Sequence, residues 1–419
     1  MDIKAPRGTK DLLPPESNLW KEIERSVDET ARLFGFEEIR TPIFESVALF
    51  KRSVGETTDI VSKEMYLLTD KGGDEMALRP ELTASVVRAA IEHNLLSQQG
   101  SLSKLYYNGA PMFRYERPQK GRQRQFHQFG VELLGSPHPL ADLQVIAFAY
   151  ALYRNLGFVN FELRLNSLGS KDVRARWRTV LVDYLSNYLS ELSDESKRRL
   201  ETNPIRVLDS KNQRDQEIVA GAPKILDYLS DDDRQHFETV QALLTDSGIL
   251  YRIDPTLVRG LDYYNRTVFE LTSNDLGSQD ALCGGGRYDE LVEQLGGPPT
   301  PAVGFAAGVE RLVIVLEKLR GEAPKQRIDV YIVLAEKSAT KTLIDVTATI
   351  KGAGFSAVYD LLDRSVKAQM READRLGAKF VVMIGADELA EGVVTLKNMS
   401  DGSQERIAPY LLASKLQTS

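Results

Sequence analysis

The sequence predicts an α+β domain, an antiparallel sheet flanked by helices and broken by a helical insertion, followed by a smaller α/β domain. Three observations carry this expectation. Two extended runs, residues 105–116 and 124–135, flank a polar loop and read as a long antiparallel hairpin. Residues 170–248 turn helical and highly charged between stretches of strand pattern. Beyond residue 327 strands and helices alternate, as in a small α/β unit with a mostly parallel sheet. A chain of 419 residues is also too long for one ordinary core, so two or three domains are expected.

In chain order, residues 17–35 form a helix: Trp20, Ile23, Val27, Ala31 and Phe34 recur at three- and four-residue intervals, with Ser17 as N-cap and Gly35 as stop. Residues 36–42 read as a strand ending at Pro42, which suits an edge or a subunit contact. Helices follow at 82–96 and, after the hairpin, at 138–157, closed by Gly157; a strand occupies 158–166. In the insertion, about 170–248, Phe237, Val240, Leu243 and Leu244 mark an amphipathic face. Strand patterns return at 249–254, 257–271 and 280–283, leading into a glycine-rich turn and helix. Val309, Leu312, Val313 and Leu316 give a helix over 308–318, and 320–327 is a linker by composition. Strands at 328–334, 356–359, 379–384 and 393–397 then alternate with helices at 338–352, 365–376 and 406–416.

Composition closes off several function classes. No run of eighteen apolar residues exists, so no membrane-spanning helix is expected. The polar N-terminus lacks a secretory pattern, which points to a cytoplasmic protein. Cys283 is the only cysteine and the four histidines lack metal-ligand spacing, so no metal site built from protein side chains is expected. The net charge of −7 argues against non-specific coating of nucleic acid but leaves local basic segments able to contact it. Neither GxxxxGK[ST] nor GxGxxG occurs, so a P-loop or Rossmann nucleotide site is excluded.

Four segments are candidates for chemistry. On the second hairpin strand Phe126, Gln128, Gly130 and Glu132 share one face, while His127, Phe129, Val131 and Leu133 face a core. Met112, Arg114 and Glu116 share a face of the partner strand. An arginine beside an aromatic platform suits a nucleotide, and Gln128 with Glu132 suits a small ligand bearing N–H donors; a solvated hairpin face is the alternative. Gly130 favours close approach of a ligand. The segment from Arg259 to Asn265 puts an arginine, an aspartate and two tyrosines together, either as site residues or as a packed strand edge. Gly284, Gly285 and Gly286 would admit a ligand to the backbone before a helix, and Arg311, off the apolar stripe of its helix, could reach phosphate or simply face solvent.

These segments, in this order, resemble the histidyl-tRNA synthetases, class II aminoacyl-tRNA synthetases, over essentially the whole chain. Thr41-Pro42 within residues 34–50, residues 112–122 continuing to Glu132, and residues 304–312 are similar to the three motifs shared by class II enzymes. Arg259-Gly260-Leu261-Asp262-Tyr263-Tyr264 and Gly284-Gly285-Gly286-Arg287-Tyr288-Asp289 resemble segments peculiar to the histidine enzymes and their relatives. Leu82 departs from the pattern, standing where many members have glycine.

The resemblance implies a class II catalytic domain over 1–319, the linker, and an anticodon-binding α/β domain over 328–419. It implies activation of L-histidine by ATP with Mg2+, transfer to the 3′-terminal ribose of histidine tRNA, and a homodimer. It places Glu81, Thr83 and Gln128 on the amino acid, Glu132 and Tyr264 on the two imidazole nitrogens, and Tyr263 in the same pocket. Arg114 and Arg259 flank the α-phosphate as the catalytic pair; Phe126 stacks on adenine; Glu116, Arg122 and Arg311 complete the ATP site; Arg117 and Gln119 meet the acceptor end of tRNA. The rival is a catalytically inert relative that senses histidine, which would lack the C-terminal domain.

Overall fold

The computed structural model describes residues 3–55, 58–96, 101–119, 121–273, 281–321 and 328–418. Two compact units divide the chain, residues 1–323 and 324–419. Most of the expected linker (322–327) and Lys120 of the hairpin loop lie outside the described residues.

The first unit opens with α1 (Glu16–Phe34), which buries Trp20, Ile23, Val27 and Ala31. Its N-cap is Pro15, not Ser17, because the ring-fixed φ of proline already suits a first turn. Of the strand expected at 36–42 only β1 (Glu37–Glu38) pairs, as a sheet edge. A small sheet, unmarked in the sequence reading, follows: β2 (Phe44–Ser46), α2 (Val47–Val54), β3 (Tyr66–Thr69) and β4 (Glu75–Leu78), ordered β2-β4-β3. Then come α3 (Thr83–Glu92), the hairpin of β5 (Ser103–Phe113) and β6 (Gln125–Leu134), α4 (Pro139–Asn155) and β7 (Glu162–Ser167). The insertion holds α5 (Lys171–Ser186), α6 (Asp194–Thr202), α7 (Gln213–Ala220) and α8 (Asp231–Asp246). The chain returns through β8 (Tyr251–Ile253), β9 (Asn265–Thr272), β10 (Ala281–Arg287), α9 (Leu291–Gln294), β11 (Ala302–Gly308) and α10 (Val309–Arg320).

The large sheet is ordered β1-β5-β6-β11-β10-β9-β7-β8; neighbours from β5 to β7 are antiparallel and the outermost pairs parallel. Three expectations are corrected. Residues 257–264 form a loop, and the strand starts only at Asn265. Gly284–Gly286 lie inside β10 and Gly304–Gly308 inside β11, with ladder partners on both sides for all but Gly308, which pairs only with Gln128, so neither is a turn. Their small residues serve close approach rather than chain reversal.

One face of this sheet is closed by α1, α4, α8 and α10. Phe129, Val131, Leu133, Phe269 and Phe305 form its core, and the insertion contributes Phe237, Val240 and Leu244. Arg287 enters this side fully buried, and its Nη2 donates to Asp142 Oδ2 of α4 at 2.7 Å. Burial alone would raise the Asp142 pKa, but Arg287 and His236 outweigh it and hold the carboxyl below its ordinary value. Asp142→Ala is expected to cost about 3–5 kcal/mol in urea denaturation, since it leaves the buried guanidinium with only the partly exposed Asp289 as counter-ion; a loss under about 1 kcal/mol would mean the cluster is solvated on the folding scale.

The second unit contains β12 (Val330–Leu334), α11 (Thr340–Gly352), β13 (Ala357–Tyr359), α12 (Val366–Arg375), β14 (Phe380–Ile384), α13 (Ala386–Glu391), β15 (Val394–Asn398), β16 (Gln404–Ile407) and α14 (Leu412–Thr418). The sheet, ordered β13-β12-β14-β15-β16, is parallel over its first three strands and antiparallel beyond. It is therefore mixed rather than mostly parallel. The link from β14 to β15 is too short for a parallel crossover. The helix expected at 406–416 divides into the end of β16 and the start of α14.

Candidate active site

The open face of the large sheet has a floor of small residues. Directly paired residues share a face, so the register lines up Glu270, Gly284, Ala306, Gly130 and Tyr107 across five strands, with Gly286, Gly304 and Glu132 in the next row. Side chains from one place lie over the glycines of another. A Cβ on Gly284 would collide with the Arg259 guanidinium, one on Gly304 with the Glu132 carboxyl, and one on Gly130 with the Tyr107 hydroxyl. What approaches Gly130 is thus a side chain of this chain.

Glu132 is fully buried on that floor. Thr83 Oγ1 donates to its Oε1 at 2.7 Å, Tyr107 OH lies 3.4 Å from the same oxygen, and Tyr288 OH donates to Oε2. Burial pushes Glu132 up to about 8, against the pull of these donors. Glu81 is also buried and also raised by burial. Its two oxygens accept from Thr83 N at 2.8 Å and Ala84 N at 2.9 Å, the first amides of α3. Glu81 therefore caps a helix as well as facing the pocket. Tyr263 and Tyr264 are buried with ring centroids 4.7 Å apart. Gln128, on the same strand face as Glu132, has a buried Oε1 with no donor among the described residues, an acceptor suited to a ligand N–H.

The arginines sit around this cluster. Arg114 lies over the Phe126 ring at 5.5 Å, its Nε donating to Pro80 O at 2.8 Å. Its charge reaches Glu81 and partly offsets the rise there. Arg259 lies 5.7 Å from the Tyr264 ring, and its Nη1 donates to Glu270 Oε2 at 3.0 Å, leaving a buried Nε with no acceptor among the described residues. Tyr264 is raised by burial, opposed by Arg259 and reinforced by Glu132, so all three belong to one electrostatic neighbourhood. Arg122 Nη1 is 3.3 Å from Glu116 Oε2, and Arg114 Nη1 is 4.0 Å from the other oxygen. Arg311, in the first turn of α10, donates to Ala281 O at 3.0 Å; burial and the nearby Arg122 lower its pKa, with Glu270 and Glu116 opposing. Arg117 and Gln119 are exposed in the hairpin loop, where Gln119 and Arg122 exchange backbone bonds of 3.0 and 2.9 Å.

Three site residues escaped the sequence reading. Tyr107 shares the face of Ala110 and Met112 only because β5 carries a bulge between residues 107 and 110. Tyr288 was signalled by its motif but not as a partner of Glu132. Glu270, the counter-ion of Arg259, lies inside the strand expected at 257–271, and nothing in the sequence marks it as the partner of Arg259. Leu82 is buried against Val86, Tyr107 and Met112, so it fills space beneath the pocket without touching a reacting group.

A family model described as histidyl-tRNA synthetase matches residues 8–312, and one described as anticodon binding domain matches residues 329–419. A histidine--tRNA ligase from Picosynechococcus sp. is 49% identical over 416 residues, covering 99% of this chain and 97% of that protein. One from Halothermothrix orenii is 48% identical over 418 residues, covering 100% and 99%. The apo histidyl-tRNA synthetase of S. aureus superposes with a TM-score of 0.82 at 39% identity, covering 99% of this chain and all of that one.

Proposed function

The chain belongs to the histidyl-tRNA synthetase family and charges tRNA with histidine, and from that premise we propose how its residues divide the work. Glu81, Thr83 and Gln128 take the α-amino group of histidine; Glu132 and Tyr264, with Tyr263 beside them, read the imidazole. Phe126 stacks on adenine. Arg114 and Arg259 contact the α-phosphate, Arg122 and Arg311 the outer phosphates, and Glu116, paired with Arg122, completes the ATP site. The histidine carboxylate attacks the α-phosphorus, the bond to pyrophosphate breaks in line, and charge gathers on phosphoryl oxygens that already face fixed guanidinium groups.

The observation that carries this assignment is the shared floor. Arg259 lies over Gly284 and Glu132 over Gly304 on adjoining strands, while Arg114 and Phe126 stack at the end of the hairpin. A carboxyl–phenol pocket and two guanidiniums thereby serve one small space.

Magnesium needs only one or two carboxylates besides substrate phosphates; Glu116 and Glu270, whose charges both reach Arg311, are the residues that would hold it. When bound it would screen the charge of the outer phosphates. In the second step a ribose hydroxyl of histidine tRNA attacks the adenylate carbonyl, the bond between that carbonyl and the phosphate breaks, and AMP leaves with the hydroxyl proton on a phosphate oxygen; Arg117 and Gln119 face the acceptor end. We assign residues 1–319 to catalysis and 328–419 to the anticodon. A homodimer is supported by exposed Ile43, Phe44, Leu67 and Leu68 on and beside the small sheet. No helix among the described residues is long and apolar enough to cross a membrane, which accords with work in the cytoplasm.

Histidine-dependent exchange of pyrophosphate into ATP tests the catalytic assignment, since a histidine sensor would bind without exchange. Deleting residues 328–419 is expected to lower tRNA charging by at least about tenfold more than exchange, because the second unit has its own core. Equal loss in both assays would refute the division of labour.

A further inference from the structure

The loop at 257–264 leaves the ladder before β9, so its carbonyls need partners elsewhere. Two are met from the insertion. Arg174 of α5 donates through Nη1 to the carbonyl of Tyr264 and, at 3.3 Å, to that of Asp262. Just beyond α6, Asn203 Nδ2 donates to Asp262 Oδ1 at 2.7 Å, a second tether on the same loop. Burial works against the Arg174 charge, with Glu290 and Asp262 offsetting it. Packing contributes as well: Leu257, Tyr263 and Tyr264 are buried in one cluster with Trp177 and Leu181 of α5. A cavity of about 290 Å³, lined by Arg174, Arg178, Arg259, Leu261, Asp262 and Tyr264 among others, opens beside the loop. On that side the loop has room to relax if its tethers go.

We propose that Arg174 is a positioning residue for histidine recognition: by holding the Asp262 and Tyr264 carbonyls it fixes the Tyr264 hydroxyl and makes the helical insertion part of the amino-acid site. The proposal rests on the assignment of Tyr264 to the imidazole. One guanidinium nitrogen, Nη1, donates to carbonyls two residues apart and holds them together, and so fixes the direction in which the Tyr264 ring leaves the backbone. A lysine ammonium could offer a donor to these carbonyls but lacks the planar group that holds Nη1 in place, so it would keep part of this. The effect is on geometry; Arg174 touches no substrate.

The test is a double-mutant cycle on the full-length enzyme, read by histidine-dependent pyrophosphate exchange. Arg174→Ala is expected to raise the KM for histidine about tenfold or more while the KM for ATP stays within about twofold; Arg174→Lys should recover part of the loss. In a Tyr264→Phe background the same substitution should raise the histidine KM much less. An equal rise in both backgrounds, or parallel shifts in the two KM values, overturns the proposal. A Tyr264→Phe enzyme with unchanged histidine KM would instead overturn the assignment of Tyr264. If Arg174→Ala does not fold, Asn203→Ala removes the other tether. It should raise the histidine KM a few-fold in the wild-type background only, and no change there refutes the coupling.

Discussion

Arg259→His is expected to slow adenylate formation about 10²–10³-fold while leaving histidine affinity within a few-fold. The argument is one of preorganisation. Arg259 Nη1 is fixed by Glu270 at 3.0 Å, and its Nε is buried with no acceptor among the described residues, so on the proposed assignment a donor is preset for the phosphoryl charge. An imidazole is shorter, keeps neither the fork nor the permanent charge, and cannot hold the Glu270 contact from the same backbone position. Single-turnover exchange measures the rate, and calorimetric titration with histidine alone measures the affinity. Normal turnover would remove Arg259 from the phosphate. A fall in affinity as large as the fall in rate would place it with the amino acid.

Glu132 should dominate selectivity. Replacing it by Ala is expected to abolish most discrimination in favour of histidine, because a site built around N–H partners rejects analogues lacking them by roughly 10⁴–10⁵. The check is kcat/KM for histidine against isosteric analogues; unchanged ratios would take Glu132 out of the imidazole site. Its ionisation supplies an independent signature. The folded protein holds the Glu132 proton up to about pH 8, whereas an ordinary carboxyl loses it near 4.5. The native state therefore keeps a proton that the unfolded chain has released, and stability contributed by this group is complete below about 4.5 and lost as pH rises through 8. Glu132→Gln should flatten that decline in thermal unfolding between pH 5 and 8. A variant that tracks the wild-type profile would mean that the buried carboxyl is already ionised.

Much of this site is legible in the sequence where a side chain and its strand obey simple alternation. Phe126, Gln128 and Glu132 do share a face, and Arg114 does lie over Phe126, because β6 runs unbroken and the end of β5 stays in register with it. Legibility fails where the backbone changes phase. The bulge in β5 moves Tyr107 onto the pocket face, which a strict count of two forbids. The segment containing Arg259 and Tyr264 looks like strand by residue type, yet it lies outside the sheet, with carbonyls bonded by Asn166 of β7 and Arg174 of the insertion. The glycine runs look like turns because they are small, when their smallness makes room for groups from other strands. In the second unit the strand order depends on how short one connection is, which composition does not reveal.

Arg287 and Tyr288 are adjacent in sequence but serve opposite sides of the sheet: the first is locked to Asp142 beneath it, the second to Glu132 above. A descendant that abandoned catalysis would still need the lower contact to stay folded. The signature spanning these residues thus records ancestry more durably than it records activity, and proof that such a descendant still works must be sought at positions like Arg259, which the scaffold could lose without falling apart.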